Sequence, residues 1–187
     1  MALIPEYTFE NFIVGPSNQF ANAACLAVAN NPGKTYNPLF IYGPSGVGKT
    51  HLLHAATNHL MNRGAIARDQ IIYMTANVFK RSLLAAWRRD KLEVFRARFS
   101  KTELLLIDDI DDLQGDQVGQ AELSHILGEF HHSHRQVVLA GEEFPLDNAH
   151  FCGDLREWIQ CGLIADIHPL LSPQIIFLLL SGFPVAT

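Results

Sequence analysis

The run Gly43-Pro-Ser-Gly-Val-Gly-Lys-Thr50 has the form G-x-x-x-x-G-K-T, a spacing suited to gripping a polyphosphate. Glycines at 43, 46 and 48 let successive backbone N–H groups, those of Ser45 and Val47 among them, converge without Cβ clashes. The helix that follows adds the positive end of its dipole. Lys49 then reaches the β- and γ-phosphates of a nucleotide, and the Thr50 hydroxyl faces Mg²⁺. About sixty residues later, Leu104-Leu-Leu-Ile-Asp-Asp109 is an apolar run ending in two carboxylates. At the tip of a strand beside the loop, Asp108 is placed to hold Mg²⁺ through water, and Asp109 to orient or deprotonate an attacking water. Together the two segments predict binding of a nucleotide with Mg²⁺.

These side chains need a strand before the loop, a helix after it and a second strand alongside. The sequence supplies them. Leu39-Phe-Ile-Tyr42 is a short buried strand, and Lys49 to about Asn62 repeats apolar residues at Leu52, Leu53, Ala56 and Leu60 with helical spacing. Ile71-Ile-Tyr-Met74, Glu103-Leu-Leu-Leu-Ile107, Gln136-Val-Val-Leu-Ala140 and Leu163-Ile-Ala-Asp-Ile167 are further strands. The continuous apolar character of the third predicts a sheet covered on both faces. Helices are expected at 21–29, 77–89, 91–99 and 117–131, with Leu83, Leu84, Trp87, Leu92, Phe95 and Phe99 as the apolar stripe of the middle pair. Alternating strands and helices make a three-layer α/β/α sandwich of the P-loop NTPase kind.

With 187 residues, 48% of them hydrophobic, the chain has material for one sizeable core and not for several. Its three cysteines, Cys25, Cys152 and Cys161, lack C-x-x-C spacing, so they predict small buried residues in a reducing cytoplasm. The most apolar run, Ile175 to Leu180, is far short of a membrane span, and no basic-then-apolar leader opens the sequence. The formal net charge of −5 conceals an uneven distribution: residues 80–101 carry +6 and the remainder −11. A local basic face on an acidic body is compatible with a phosphate backbone.

Tyr7-Thr-Phe-Glu-Asn-Phe-Ile-Val-Gly15, Asn37-Pro-Leu-Phe-Ile-Tyr-Gly43, Gly48-Lys-Thr-His51, Leu104-Leu-Leu-Ile-Asp-Asp-Ile110 and Gly162-Leu-Ile-Ala-Asp-Ile167 together resemble the AAA+ ATPase domain of the DnaA family of bacterial replication initiators. The resemblance runs from Tyr7 to Pro169. It implies binding of ATP or ADP, a five-stranded parallel sheet in the order 5-1-4-3-2, and an adenine pocket formed in part by Ile13, Val14, Gly15 and Asn18. It places His51 beside the nucleotide. It implies a role in initiating or regulating chromosomal replication, in a filament with copies of itself or with a full-length initiator, with the replicative helicase as a further partner. The helices at 77–99 correspond to the family's initiator-specific insertion, so the +6 segment at 80–101 becomes the expected contact for single-stranded DNA.

Several positions depart from the family pattern. Gly153-Asp-Leu-Arg-Glu-Trp-Ile-Gln-Cys-Gly-Leu163 places Trp158 where the family has its arginine finger, with Arg156 the nearest cation. Ala140-Gly-Glu-Glu143 replaces the serine-aspartate-arginine sensor run, leaving Glu142 as the acidic sensor and Glu143 where a base belongs. Asp116 and Val118 stand where DNA-gripping bases are expected. The expected division is an ATPase core over 1–169 and an apolar tail over 170–187, without the helicase-loading domain, helical lid or duplex-reading domain. The alternative reading is an interaction module or helicase-loader-like regulator that binds nucleotide without efficient hydrolysis. His131, His132 and His134 read as a solvated helix end rather than a metal set, and Trp87 as packing rather than a base-stacking platform.

Overall fold

Every apolar run singled out before Pro169 becomes a strand. The computed structural model describes residues 3–170, in which Leu39–Tyr42 (β1), Ile71–Thr75 (β2), Leu104–Asp108 (β3), Gln136–Gly141 (β4) and Leu163–Asp166 (β5) form one sheet. The order is β2-β3-β4-β1-β5 and every pairing is parallel. Helices Gln19–Asn30 (α1), Lys49–Asn62 (α2), Ala76–Trp87 (α3), Leu92–Ala97 (α4), Gln117–His132 (α5) and Gly153–Gln160 (α6) cover it. The expected run Ile175 to Leu180 lies outside the described residues.

Side-chain parity along the strands builds the two apolar layers. Leu104 and Leu106 of β3 join α1 and α2 in one cluster, while Leu105 and Ile107 join α3, α4, α5 and α6 in the other. Leu39 and Ile41 of β1 face the first layer and Phe40 the second. Each fully buried Leu or Ile is worth roughly 1.5–3 kcal/mol, so a strand buried at all five positions, as β3 is, anchors the domain. The same parity aims Asp108, two residues past Leu106, at the α2 face.

Two expectations are corrected and one helix is added. Leu84 and Trp87 are 40% and 65% exposed, because the buried stripe of α3 runs through Ala76, Phe79 and Leu83 to meet Phe95 and Phe99. Leu84 turns about 100° away from that stripe, and Trp87, the last residue of α3, lies with it over a groove shared with Val118. Of the cysteines only Cys25 is deeply buried, whereas Cys152 is half-buried and Cys161 exposed at the end of α6. Helix α6 itself was not foreseen; Leu155 and Ile159, one turn apart, are its buried face. Among the described residues no helix is long and apolar enough to cross a membrane.

Short α4 is tethered by charge as well as by Phe95. Arg96 donates Nε to Glu122 Oε1 at 2.7 Å and an Nη to Oε2 at 2.8 Å, a bidentate pair with α5. Arg96 holds the Glu122 carboxyl below its usual range, against partial burial that acts the other way. A depressed carboxyl contributes stability above its unfolded-state value and loses it as pH falls through its folded value. Glu122→Gln is therefore expected to cost about 1 kcal/mol at neutral pH, allowing for solvent screening of half-exposed Arg96. Urea denaturation should show that cost shrinking as the pH falls below about 4.5.

Candidate nucleotide-binding site

The loop between β1 and α2 emerges at the middle of the sheet, because β1 lies between β4 and β5. The Gly43 N–H donates to the Gly141 carbonyl at 3.2 Å, continuing the β1–β4 ladder into the loop. A Cβ on Gly43 would sit 2.0 Å from the Ile167 carbonyl oxygen, so the residue is fixed by close approach of β5. Gly46 and Gly48 have φ of +81° and +105°, which L side chains rarely adopt. Gly48 is the N-cap of α2 and offers no side-chain cap, leaving the first-turn N–H groups directed at the loop.

Lys49, only 6% exposed, folds back across the loop. Its Nζ donates to the Gly43 carbonyl at 2.6 Å and the Pro44 carbonyl at 3.0 Å. Thr50 Oγ1 donates to Asp108 Oδ2 at 2.7 Å, joining the first turn of α2 to the tip of β3. Tyr73 Oη donates to the same oxygen at 3.0 Å, and the Asp109 amide to Oδ1 at 3.1 Å. Asp108 is thus 2% exposed with both carboxylate oxygens occupied. Asp109, at φ +53°, leaves the strand and is among the residues that line a cavity beside the loop. Partial burial, then Asp108 and Asp112, raise its pKa, while Lys49 opposes the shift.

A cavity of about 320 Å³ is lined by the loop from Ser45 to Thr50 except Val47, with Tyr7, His51, Asp109 and Glu142 around it. The Glu142 amide donates to Asp111 Oδ2 at 2.6 Å, which holds the turn after β4 against the turn after β3. Glu143 points elsewhere and accepts from Asn148 Nδ2 at 3.0 Å. His51 Nε2 lies 2.8 Å from the Thr8 carbonyl, and because a carbonyl only accepts, this nitrogen carries the proton. Its ring stacks on Tyr7 with centroids 4.6 Å apart. Val14 and Ile13 are 51% and 73% exposed, outside this lining, while buried Asn18 accepts from the Gly15 amide and donates to the Ile13 carbonyl. Tyr7, Tyr73 and Asp111 carried no motif of their own; their contacts come from three separate segments.

Trp158 is turned inward. Its ring lies 5.5 Å from that of His131 and 5.9 Å from that of His132, and it sits over Gly128 of α5. In the basic segment, Arg96 is engaged by Glu122 and Lys80 lies 3.4 Å from Asp116. Arg81, Arg88, Arg89, Lys91, Arg98 and Lys101 are exposed.

A parallel sheet in this order, with a glycine loop between its central strand and α2 and a buried acid at the tip of β3, defines a P-loop NTPase domain of the AAA+ class. Residues 3–166 match the family model described as the bacterial DnaA ATPase domain, and the chain belongs to that family. The chromosomal replication initiator protein DnaA of Deinococcus deserti is 45% identical over 165 residues, which are 88% of this chain and 36% of that protein. The chain thus spans about a third of the length of the curated relatives it matches. Domain III of the replication initiation protein DnaA from Thermotoga maritima superposes with a TM-score of 0.86 at 38% identity, covering 100% of this chain and 79% of that one. A replication initiator DnaA bound to AMPPCP and single-stranded DNA gives 0.83 at 31%, over 99% and 58% of the respective chains.

The two glycines separate close approach from backbone strain. Gly43→Ala must displace the Ile167 carbonyl and is expected to cost about 3 kcal/mol or more. Gly46→Ala meets open space and carries only the penalty of its positive φ, about 1–2 kcal/mol. Equilibrium denaturation of the two variants checks the ranking.

Proposed function

We propose that this chain is the nucleotide-binding core of a bacterial replication initiator, and that it binds ATP or ADP with Mg²⁺ at the 43–50 loop. The observation that carries the reading is the 2.7 Å contact between Thr50 and Asp108 beside Lys49. A hydroxyl and a carboxylate are both hard oxygen donors, the set that suits Mg²⁺. When bound, the ion would neutralise phosphate charge. Lys49 would leave its loop carbonyls for the β- and γ-phosphates, and the amides of the loop would hold their remaining oxygens. Asp109 would orient or deprotonate an attacking water, and Glu142 would sense the γ-phosphate from the opposite wall. The 13–15 turn, braced by Asn18, would border the adenine with Val14 and Gly15, and His51 would flank the phosphates from α2.

In this reading residues 1–169 are the AAA+ core and α3 with α4 is the insertion that meets DNA. Six exposed cations outside the Arg96 and Lys80 pairs give it a positive face for single-stranded DNA, the ligand of one solved relative. The chain would act in chromosomal replication beside copies of itself or a full-length initiator, with the replicative helicase downstream. A second reading is favoured by Trp158, which is packed on α5 and has no charge to offer a neighbour's phosphate. The chain would then be a nucleotide-dependent interaction module with weak hydrolysis.

A fluorescent ATP analogue should bind the wild-type chain with Mg²⁺ and lose at least about tenfold in affinity on Lys49→Ala, the loss of one charge-assisted contact. Equal binding by both would overturn the nucleotide reading. Steady-state ATP turnover stimulated by single-stranded DNA would exclude the module reading.

A further inference from the structure

Asp108 receives one more hydroxyl than the loop supplies. Thr50 reaches Oδ2 from α2 and the Asp109 amide holds Oδ1, but the third donor, Tyr73 Oη, arrives at 3.0 Å from the edge strand β2. Tyr73 is paired in register with Leu106, so its ring lies on the same sheet face as Asp108 and reaches along it. The ring is 6% exposed, and among the described residues its hydroxyl has no other partner.

Tyr73 is itself aimed. The His54 ring meets it edge-on, centroids 4.5 Å apart, from one turn past Thr50 on α2. His54 Nδ1 accepts the Ile4 amide at 3.0 Å, and the Tyr7 ring packs edge-on against the same imidazole at 5.6 Å. Asn58, a turn further along α2, donates to the Ile4 and Tyr7 carbonyls, both at 2.9 Å. The segment before the first helix is thereby fastened along α2, and its contacts end on the imidazole that backs Tyr73. Packing alone would be met by phenylalanine; the hydroxyl has a directional use.

We propose that Tyr73 is a positioning residue for Asp108, its O–H fixing the carboxylate so that Oδ2 stays with Thr50 and the pair is set to receive nucleotide-bound Mg²⁺, with His54 holding the phenol in place. This rests on the Mg-nucleotide reading above. Removing the hydroxyl leaves Asp108 with two donors and frees its carboxylate to rotate. Outer partners of metal-binding groups typically contribute 10- to 100-fold to metal affinity.

The test is a calorimetric comparison of ATP-analogue affinity in excess Mg²⁺ and in EDTA, each variant serving as its own reference. In Tyr73→Phe the factor by which Mg²⁺ strengthens binding should fall about tenfold. His54→Gln keeps an acceptor for the Ile4 amide but removes the ring behind Tyr73, and should lower the factor in the same direction by less. It also serves as the second variant if Tyr73→Phe fails to fold. A Mg²⁺ factor unchanged from wild type in the folded variants would overturn the assignment, and so would equal weakening with and without Mg²⁺, the mark of a packing role. Absence of any nucleotide binding by the wild type would instead overturn the parent reading, and this proposal with it.

Discussion

A hydroxyl–carboxylate contact of 2.7 Å between Thr50 and Asp108 joins the first turn of α2 to the tip of β3, and much of the domain serves to keep it. The two residues are fifty-eight positions apart, and the strand that leads into the loop before Thr50, β1, is separated by β4 from the β3 strand that carries Asp108. Three requirements bring them together. Gly43 must let β5 pass close by, Gly48 must start α2 with positive φ, and the parity of β3 must turn Asp108 toward α2. A one-residue slip of β3 would send Asp108 to the opposite layer. The seven apolar strand neighbours of β3, Ile71 to Met74 on β2 and Val137 to Leu139 on β4, fix that register far more strongly than the contact itself does.

Burying a carboxylate is costly unless its oxygens are hydrogen-bonded. Asp108 meets that cost with three donors from three segments, Thr50, Tyr73 and the Asp109 amide. The neighbouring acid behaves differently: Asp109 borders the cavity, and burial and the surrounding carboxylates raise its pKa. Two adjacent carboxyls are thus separated into a fixed, fully solvated-by-protein group and a freer one at the cavity wall. This division follows from the positive φ at Asp109, which breaks the strand there.

Much of this was legible in the sequence because it is local or periodic. The loop is a contiguous motif, the strands are unbroken apolar runs, and the helix stripes at 49–62 and 117–131 repeat within a few residues. What escaped was carried by separate segments meeting in space. Tyr73 reads only as a β-former, and Tyr7 only as part of a resemblance. Trp87, expected on the apolar stripe, opens to solvent at the end of α3, while Trp158, for which the sequence offered no environment, packs from α6 onto α5. A tryptophan on a helix stripe is counted as core by periodicity, which takes no account of where the layer beneath it ends. Charge counting located the basic segment but not the pairing of Lys80 with Asp116 and of Arg96 with Glu122.

The central claim is that the Gly43–Thr50 loop and Asp108 form one Mg-nucleotide site. It is tested most directly by a crystal structure of this chain grown with AMPPCP and Mg²⁺. The account predicts the triphosphate within the loop, Lys49 Nζ moved from the Gly43 and Pro44 carbonyls onto the β- and γ-phosphates, and the ion bound on the Thr50–Asp108 side. Nucleotide density elsewhere, or a loop that keeps Lys49 on its own carbonyls at saturating ligand, would contradict it.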